Sequence, residues 1–286
     1  MKDFLKNLLP KRFRKDNTII PVVRLSGAIM AGGNALRPAL NLAGVATVLD
    51  KAFSMKKAPA VAILINSPGG SPVQARQIYT RIRQLAAEKH KKVFVFVEDV
   101  AASGGYMIAL AGDEIIADPT SIVGSIGVIS GGFGFPELLK KIGVERRVYT
   151  SGENKSVLDP FQPEKASDVE HLKALQAEVH GVFIDMVKSR RGSRLVDNPD
   201  LFSGLFWTGA KGVELGLVDG LGDLSTTLKE RYGKDVKLLP VFAGRGLFGR
   251  RQPGIATHGA ERIAAAAATG LAQAAEERAL WARFGL

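Results

Sequence analysis

"VEDVAASGGYMIALAGDEI", residues 98–116, passes within a few residues from strand-like composition through small residues into an apolar run. Ser103 stands at the change, between two alanines and two glycines. A serine before a helix is a common N-cap. The same position, at the carboxyl end of a buried strand, is also where a nucleophile sits in an α/β sheet. The residues around it decide how the chain folds, and both readings of Ser103 stay open at this point.

Upstream, "KKVFVFVEDV" (91–100) and "APAVAILINSPGG" (58–70) are nearly continuous apolar runs, the second ended by Pro and Gly. Strands buried on both faces have this composition. "TIIPVVRL" (18–25) reads as a first strand, and residues 34–54 place Leu36, Leu40, Ala43, Val48 and Leu49 near helical spacing. Between the two long strands, Ile78, Ile82, Leu85 and Ala86 share one helical face, opposite Arg76, Arg81 and Lys89. Downstream come three short strand candidates: "DEIIAD" (113–118), "SIVGSIGVIS" (121–130) and "ERRVYTSG" (145–152). Residues 166–190 carry Val169, Leu172, Leu175, Val179, Val182, Phe183 and Met186 at steps of three and four, an amphipathic helix. A last α/β segment ends in "GLVDGLGDL" (216–224). Alternating strands and helices predict an α/β domain with a mostly parallel, covered sheet. Its bounds are residues 16–240. A basic segment, 1–15, precedes it, and residues 241–286 follow as a basic Gly/Arg linker and a peripheral Ala-rich helix.

Of the 286 residues 46% are hydrophobic, enough for one large core. The absence of cysteine excludes disulfides and thiolate metal sites, and His90, His171, His180 and His258 lack metal-ligand spacing. No metal or other cofactor is expected. The net charge of +11 gathers in part at the ends. "MKDFLKNLLPKRFRK" (1–15) carries six bases against one Asp, and "GRGLFGRRQPG" (244–254) adds three arginines. Bases interleaved with Phe and Leu suit an anionic membrane surface; a solvated basic tail is the plainer reading. No nucleic-acid-binding module is recognisable. The start lacks the apolar core of roughly 7–15 residues that a signal peptide needs. "IAAAAATGLAQAA" (263–275) is too short and alanine-rich to span a bilayer. The expected location is cytoplasmic, with peripheral contact at the inner membrane face.

Two buried strands end in glycine-rich corners, "NSPGGSP" (66–72) and "AASGG" (101–105). Glycine pairs can turn N–H groups into open space, where they stabilise an oxyanion. Plain turn residues are the alternative, whereas a phosphate loop is excluded because neither corner continues as Gly-Lys-Ser/Thr. A nucleophilic serine needs a base. Lys155, in "YTSGENKSVLDPFQP", lies in a polar loop away from the amphipathic helices that hold most other lysines. A lysine in water titrates near about 10.4, so a catalytic one must be desolvated.

The chain resembles signal peptide peptidase A and its SohB-like relatives, the Ser-Lys peptidases, which share the Clp protease/crotonase fold of repeated strand-strand-helix units. The resemblance is carried by "INSPGGSPVQARQIY" (65–79), "ASGGYMIALAGDEIIADPTSIVGSIGVI" (102–129), "SGENKSVLDPFQP" (151–163) and "WTGAKGVELGLVDGLG" (207–222). It spans roughly residues 20–225, and 52 positions separate Ser103 from Lys155. It implies Ser103 as nucleophile, Lys155 as general base and Ser125 as the serine that hydrogen-bonds the lysine amine. Gly70 and Gly104 would supply the oxyanion-hole N–H groups, with Gly69 as the fallback. It further implies a ring-like homo-oligomer in which the serine of one protomer meets the lysine of its neighbour. Typical members carry an N-terminal membrane anchor, and this sequence shows none. The activity expected is therefore endopeptidase cleavage of short apolar peptides, such as remnant signal peptides or unfolded membrane-associated peptides. A crotonase-type acyl-CoA enzyme and a non-catalytic scaffold of the same fold are the alternatives.

Overall fold

The computed structural model of the protein describes residues 17–32, 39–242, 275 and 277–286. Three long apolar runs form its centre: β1 (Ile19–Ser26), β2 (Ala60–Ser67) and β3 (Lys92–Ala102), parallel neighbours in one sheet. Between them lie α1 (Leu42–Phe53) and α2 (Pro72–Lys89). Local chemistry sets both helix starts. The Asn41 side chain caps α1 by accepting from Gly44 N–H. Ser71 does the same for Gln74 N–H, ahead of Pro72, whose fixed φ suits a first turn. The helix expected over 34–54 thus begins only at Leu42. Leu40 instead forms a bridge with Ile29, and Leu36 falls outside the described residues.

Beyond β3 come the short helix α3 (Gly104–Ala109) and the strands β4 (Glu114–Ala117) and β5 (Ile122–Gly124). An exposed stretch follows, with the short helix α4 (Pro136–Lys141), then the long α5 (Ala166–Arg191). The chain returns through β6 (Phe206–Thr208), α6 (Gly209–Glu214), β7 (Gly220–Leu221), α7 (Leu224–Tyr232) and β8 (Lys237–Pro240). The sheet has eight strands in the order β6-β5-β3-β2-β1-β8, with β4 joining β3 and β7, and only the β5–β6 pair is antiparallel. This mixed, mostly parallel sheet is the expected α/β class, and the wider Clp protease/crotonase assignment fits it. The larger core cluster lies between the sheet and α1, α2, α3 and α5, around Ile63, Ile78, Val95, Tyr106 and Phe183.

Two further sequence expectations change. The strand over 121–130 shrinks to β5, because Gly124 (φ 102°) and Ser125 (φ 52°) turn the backbone out of the ladder. Residues 145–152 form no strand, despite β-branched composition, and pair with no neighbour among the described residues. The last described residues touch the sheet: Phe284, with Trp281, packs on Val100, Ala102 and Ile122, and its ring meets Phe206 edge-on at 5.0 Å, while the Ala-rich stretch before them lies outside the described residues apart from residue 275.

α5 buries only its C-terminal half, through Phe183, Met186, Val187 and Arg191, while Leu175 and Val182 stay exposed. Arg191 anchors that half. Its Nη1 sits 2.8 Å from Asp219 Oδ2 and its Nε donates to the Gly216 carbonyl at 2.7 Å. Burial opposes ionisation of Asp219, but hydrogen bonds from Arg191 and from Ile115 N–H, with the charges of Arg191 and Arg194, hold its carboxyl below the ordinary 3.8. A carboxyl depressed in the folded state stabilises above its unfolded pKa, and the contribution fades as pH falls through the folded value. Asp219→Asn is expected to lower stability by about 3 kcal/mol at neutral pH, since it strands a buried guanidinium. That difference should shrink below pH ~4 in urea-unfolding curves; a gap independent of pH would contradict it.

Candidate active site

Ser103 reaches its position through a fault in the sheet. Ile65 of β2 pairs with Val97, but Ser67 pairs with Ala101, so β3 carries extra residues around Glu98–Asp99. Before the bulge β3 pairs with β4; after it, Val100–Ala102 pair with β5. A bulge re-aims the strand beyond it. Asn66 holds this one from inside the sheet: Nδ2 donates to Asp99 Oδ2 at 2.6 Å and Oδ1 accepts from Val100 N–H at 3.2 Å. Sequence pattern did not single out Asn66, because its role depends on a shift in strand register.

At the end of β3 the Ser103 N–H donates to the Gly124 carbonyl at 2.8 Å. Its backbone adopts φ 52° and ψ −123°, and its side chain makes no capping bond to α3. The capping role is therefore out. A non-glycine residue in this conformation costs about 1–3 kcal/mol and persists where the surroundings over-determine it. Ser125 mirrors it on the neighbouring strand. It follows Gly124, the partner of Ala102, also has φ 52°, and is only 4% exposed. Its N–H donates to the Leu205 carbonyl at 2.8 Å. The two serines thus occupy adjacent register positions beyond β3 and β5.

The glycine corner after β2 closes against them. A Cβ on Gly69 would lie 2.8 Å from the Ser103 Cβ and 2.9 Å from the Ala102 carbonyl oxygen. Gly70 (φ 132°) is tied down on one side. Ile29 N–H donates to the Gly69 carbonyl at 2.8 Å, and Ser71 N–H to the Ile29 carbonyl at 2.7 Å. A parallel bridge of this kind leaves the N–H of Gly70 itself on the opposite side. There it faces Gly104, whose added Cβ would stand 3.5 Å from Gly70 N. Gly104 opens a helix, so its N–H has no intrahelical acceptor. The Gly69–Gly70 and Ser103–Gly104 corners thus pack backbone against backbone, with the Gly104 N 3.0 Å from where a Gly69 Cβ would stand.

Lys155 is not part of this cluster. It lies exposed in a turn, and no hydrogen bond joins it to Ser103 or Ser125 among the described residues. The stretch of chain between β5 and Lys155 is exposed too: Ile129, Leu138, Ile142, Val144 and Tyr149 each present more than half of their surface to solvent. His171 faces solvent. His180 is half-buried, with Nε2 3.0 Å from the Ile126 carbonyl, next to Ser125. That contact ties α5 to the serine shelf, and sequence spacing gave no signal of it. Tyr106, three residues past Ser103, donates to the Leu217 carbonyl at 2.6 Å, and burial pushes its hydroxyl pKa far above the ordinary value. It is a structural donor that fixes α3.

With this geometry in place, comparison with known proteins gives the family. The model of peptidase family S49 matches residues 86–238, a span that contains Ser103, Ser125 and Lys155. The chain belongs to peptidase family S49. A second model, of ClpP-like SDH-type serine proteinases, matches residues 14–153. Protease 4 of Haemophilus influenzae is 32% identical over 236 residues, 80% of this chain and 37% of that protein. A protein named Na(+)/H(+) antiporter NhaA, from Brucella melitensis, is 67% identical over 286 residues, 99% of this chain but 39% of its own length. The chain thus spans about two fifths of these relatives. Among solved structures, a mutant of the 1510-N membrane-bound stomatin-specific protease aligns with a TM-score of 0.50 and 17% identity, covering 80% of this chain and 99% of that one. At that identity it shows the shared fold. No helix among the described residues is long and apolar enough to cross a membrane. The basic segments 1–15 and 244–254 lie outside the described residues, apart from the core bounds already given.

Proposed function

We propose that this S49 chain is a serine endopeptidase that cuts short apolar peptides with a Ser103–Lys155 dyad. The observation that carries the reading is the strained, uncapped Ser103 beside the Gly70 and Gly104 N–H groups. In the proposed sequence, Lys155 in its neutral form accepts the Ser103 Oγ proton as that oxygen attacks a peptide carbonyl. The Gly70 and Gly104 N–H groups hold the oxyanion, with Gly69 N–H as the substitute donor. Ser125 accepts a hydrogen bond that orients the lysine amine. Lysine then returns the proton to the leaving amine, the C–N bond breaks, and an acyl-serine remains. Water, deprotonated by Lys155, hydrolyses that ester and regenerates both groups. No step requires a metal or cofactor.

The exposed Lys155 and the apolar surface around α4 support a second part of the proposal: the lysine works on the serine of a neighbouring copy in a homo-oligomeric ring. Packing of Leu138, Ile142 and Val144 against that copy would desolvate the amine, as a lysine base requires. The Brucella relative named as an antiporter supports action close to a membrane, on peptides released there. Peripheral contact of the basic termini with anionic lipid belongs to the same proposal.

Mixing the inactive variants tests the shared site. Ser103→Ala and Lys155→Ala, dissociated and reassembled together, are expected to recover hydrolysis that neither has alone. Co-assembly without recovery would overturn the in-trans arrangement.

A further inference from the structure

A cavity of about 790 Å³ opens beside the turn that carries Lys155, between residues 130–137 and 156–172. Its walls are tied together: Phe135 N–H donates to the Pro160 carbonyl at 2.6 Å, and the Phe135 and Phe161 rings stand 5.5 Å apart. Phe133, Phe135, Leu158 and Leu172 give it an apolar lining. Leu158 has φ 55°, a left-handed backbone that a bulky residue rarely adopts. The Asp168 carboxylate holds it there by accepting its N–H at 3.1 Å. Three other non-glycine residues share a positive φ among the described residues. His90 ends a helix, and Ser103 and Ser125 form the candidate site. Strain of this kind collects at ligand clamps.

The charges around the cavity have mostly one sign. Glu137 and Glu164 line it, exposed and in no ion pair among the described residues, and Lys165 is the single cation in the lining. Aromatic walls with a carboxylate rim complement a ligand that joins apolar and cationic side chains. We propose that this cavity holds the part of a peptide substrate where an apolar residue is flanked by Lys or Arg, so that the enzyme selects cationic apolar peptides. The assignment rests on the peptidase reading above. Leu158 lies three residues after Lys155, so filling the cavity also orders the turn that carries the base.

The test measures binding without turnover, by fluorescence anisotropy on the full chain carrying Ser103→Ala. Three labelled peptides share one Leu/Phe sequence and are flanked by Lys, Gln or Glu. The Lys peptide is expected to bind about fivefold more tightly than the Gln peptide, with the Glu peptide weakest, the size two exposed charge pairs support. Adding Glu137→Gln and Glu164→Gln should erase the Lys preference. Glu170→Gln with Glu178→Gln, an equal charge change outside the cavity, should keep it. Equal affinity for all three peptides overturns the proposal, as does a Lys preference that survives the cavity pair. If the cavity pair alters only the assembled mass on gel filtration, a second copy occupies the cavity and the proposal falls. Selective binding by a wild type that cleaves nothing supports the cavity and overturns the peptidase reading instead.

Discussion

Ser103→Ala is expected to fold and assemble as the parent does and to lose peptide hydrolysis by at least a thousandfold, roughly the loss seen when a nucleophile is removed from a serine hydrolase. The Ser103 side chain makes no cap bond, so its hydroxyl contributes nothing to helix α3 that alanine would forfeit. The backbone strain at φ 52° remains with alanine, held by the Gly124 carbonyl and the Ala102–Gly124 pairing. Activity and stability should therefore separate cleanly. Rates on a fluorogenic peptide, set beside thermal unfolding of both proteins, check this. Substantial residual hydrolysis in the variant would mean that another group attacks the peptide.

Gly70→Ala is expected to do the reverse and damage both. Its Cβ would sit 2.1 Å from the Ile29 carbonyl oxygen, in a backbone with φ 132° that side chains rarely adopt. Backbone cannot yield as a flexible side chain does, so the Ile29–Gly70 bridge must open and the Gly70 N–H must swing away. A loss of about 3 kcal/mol or more in stability follows from the clash and the broken bridge. Among molecules that still fold, hydrolysis should drop about a hundredfold or more, the usual effect of losing one oxyanion donor. Gly181→Ala makes a useful contrast, because nothing lies within 4 Å of its added Cβ in the middle of α5. It should raise stability by about 0.5–1 kcal/mol through helix propensity. Denaturant unfolding separates the two; equal, small effects at both positions would contradict this account of the corner.

The long elements were legible because local and global signals agree there. β2 is continuously apolar and ends in Pro-Gly-Gly, and α2 has a serine cap, a first-turn proline and one apolar face. Where an element depends on a distant partner, the sequence misled. Residues 145–152 have strand composition but no strand beside them. β5 is cut short by two positive-φ residues that composition alone does not reveal. The Ala-rich approach to the C-terminus hid Trp281 and Phe284, which act through contacts with Val100 and Ala102, far away in the chain. The site divides in the same way. The glycine corners and Ser103 stood out as local patterns, but that Ser103 does not cap the helix shows only in its backbone angles and missing cap bond. Lys155 was singled out by its polar loop and then by resemblance, but it lies exposed in a turn with no hydrogen bond to Ser103 among the described residues, a separation that loop composition does not reveal.

The most direct test of the Ser-Lys peptidase account is covalent labelling of the assembled protein with a fluorophosphonate, read by peptide mass spectrometry. The account predicts a single adduct on Ser103, none in Ser103→Ala, and labelling slowed about a hundredfold or more in Lys155→Ala, since a general base typically contributes that much. An adduct on another residue, or labelling of Lys155→Ala at the parental rate, would contradict it.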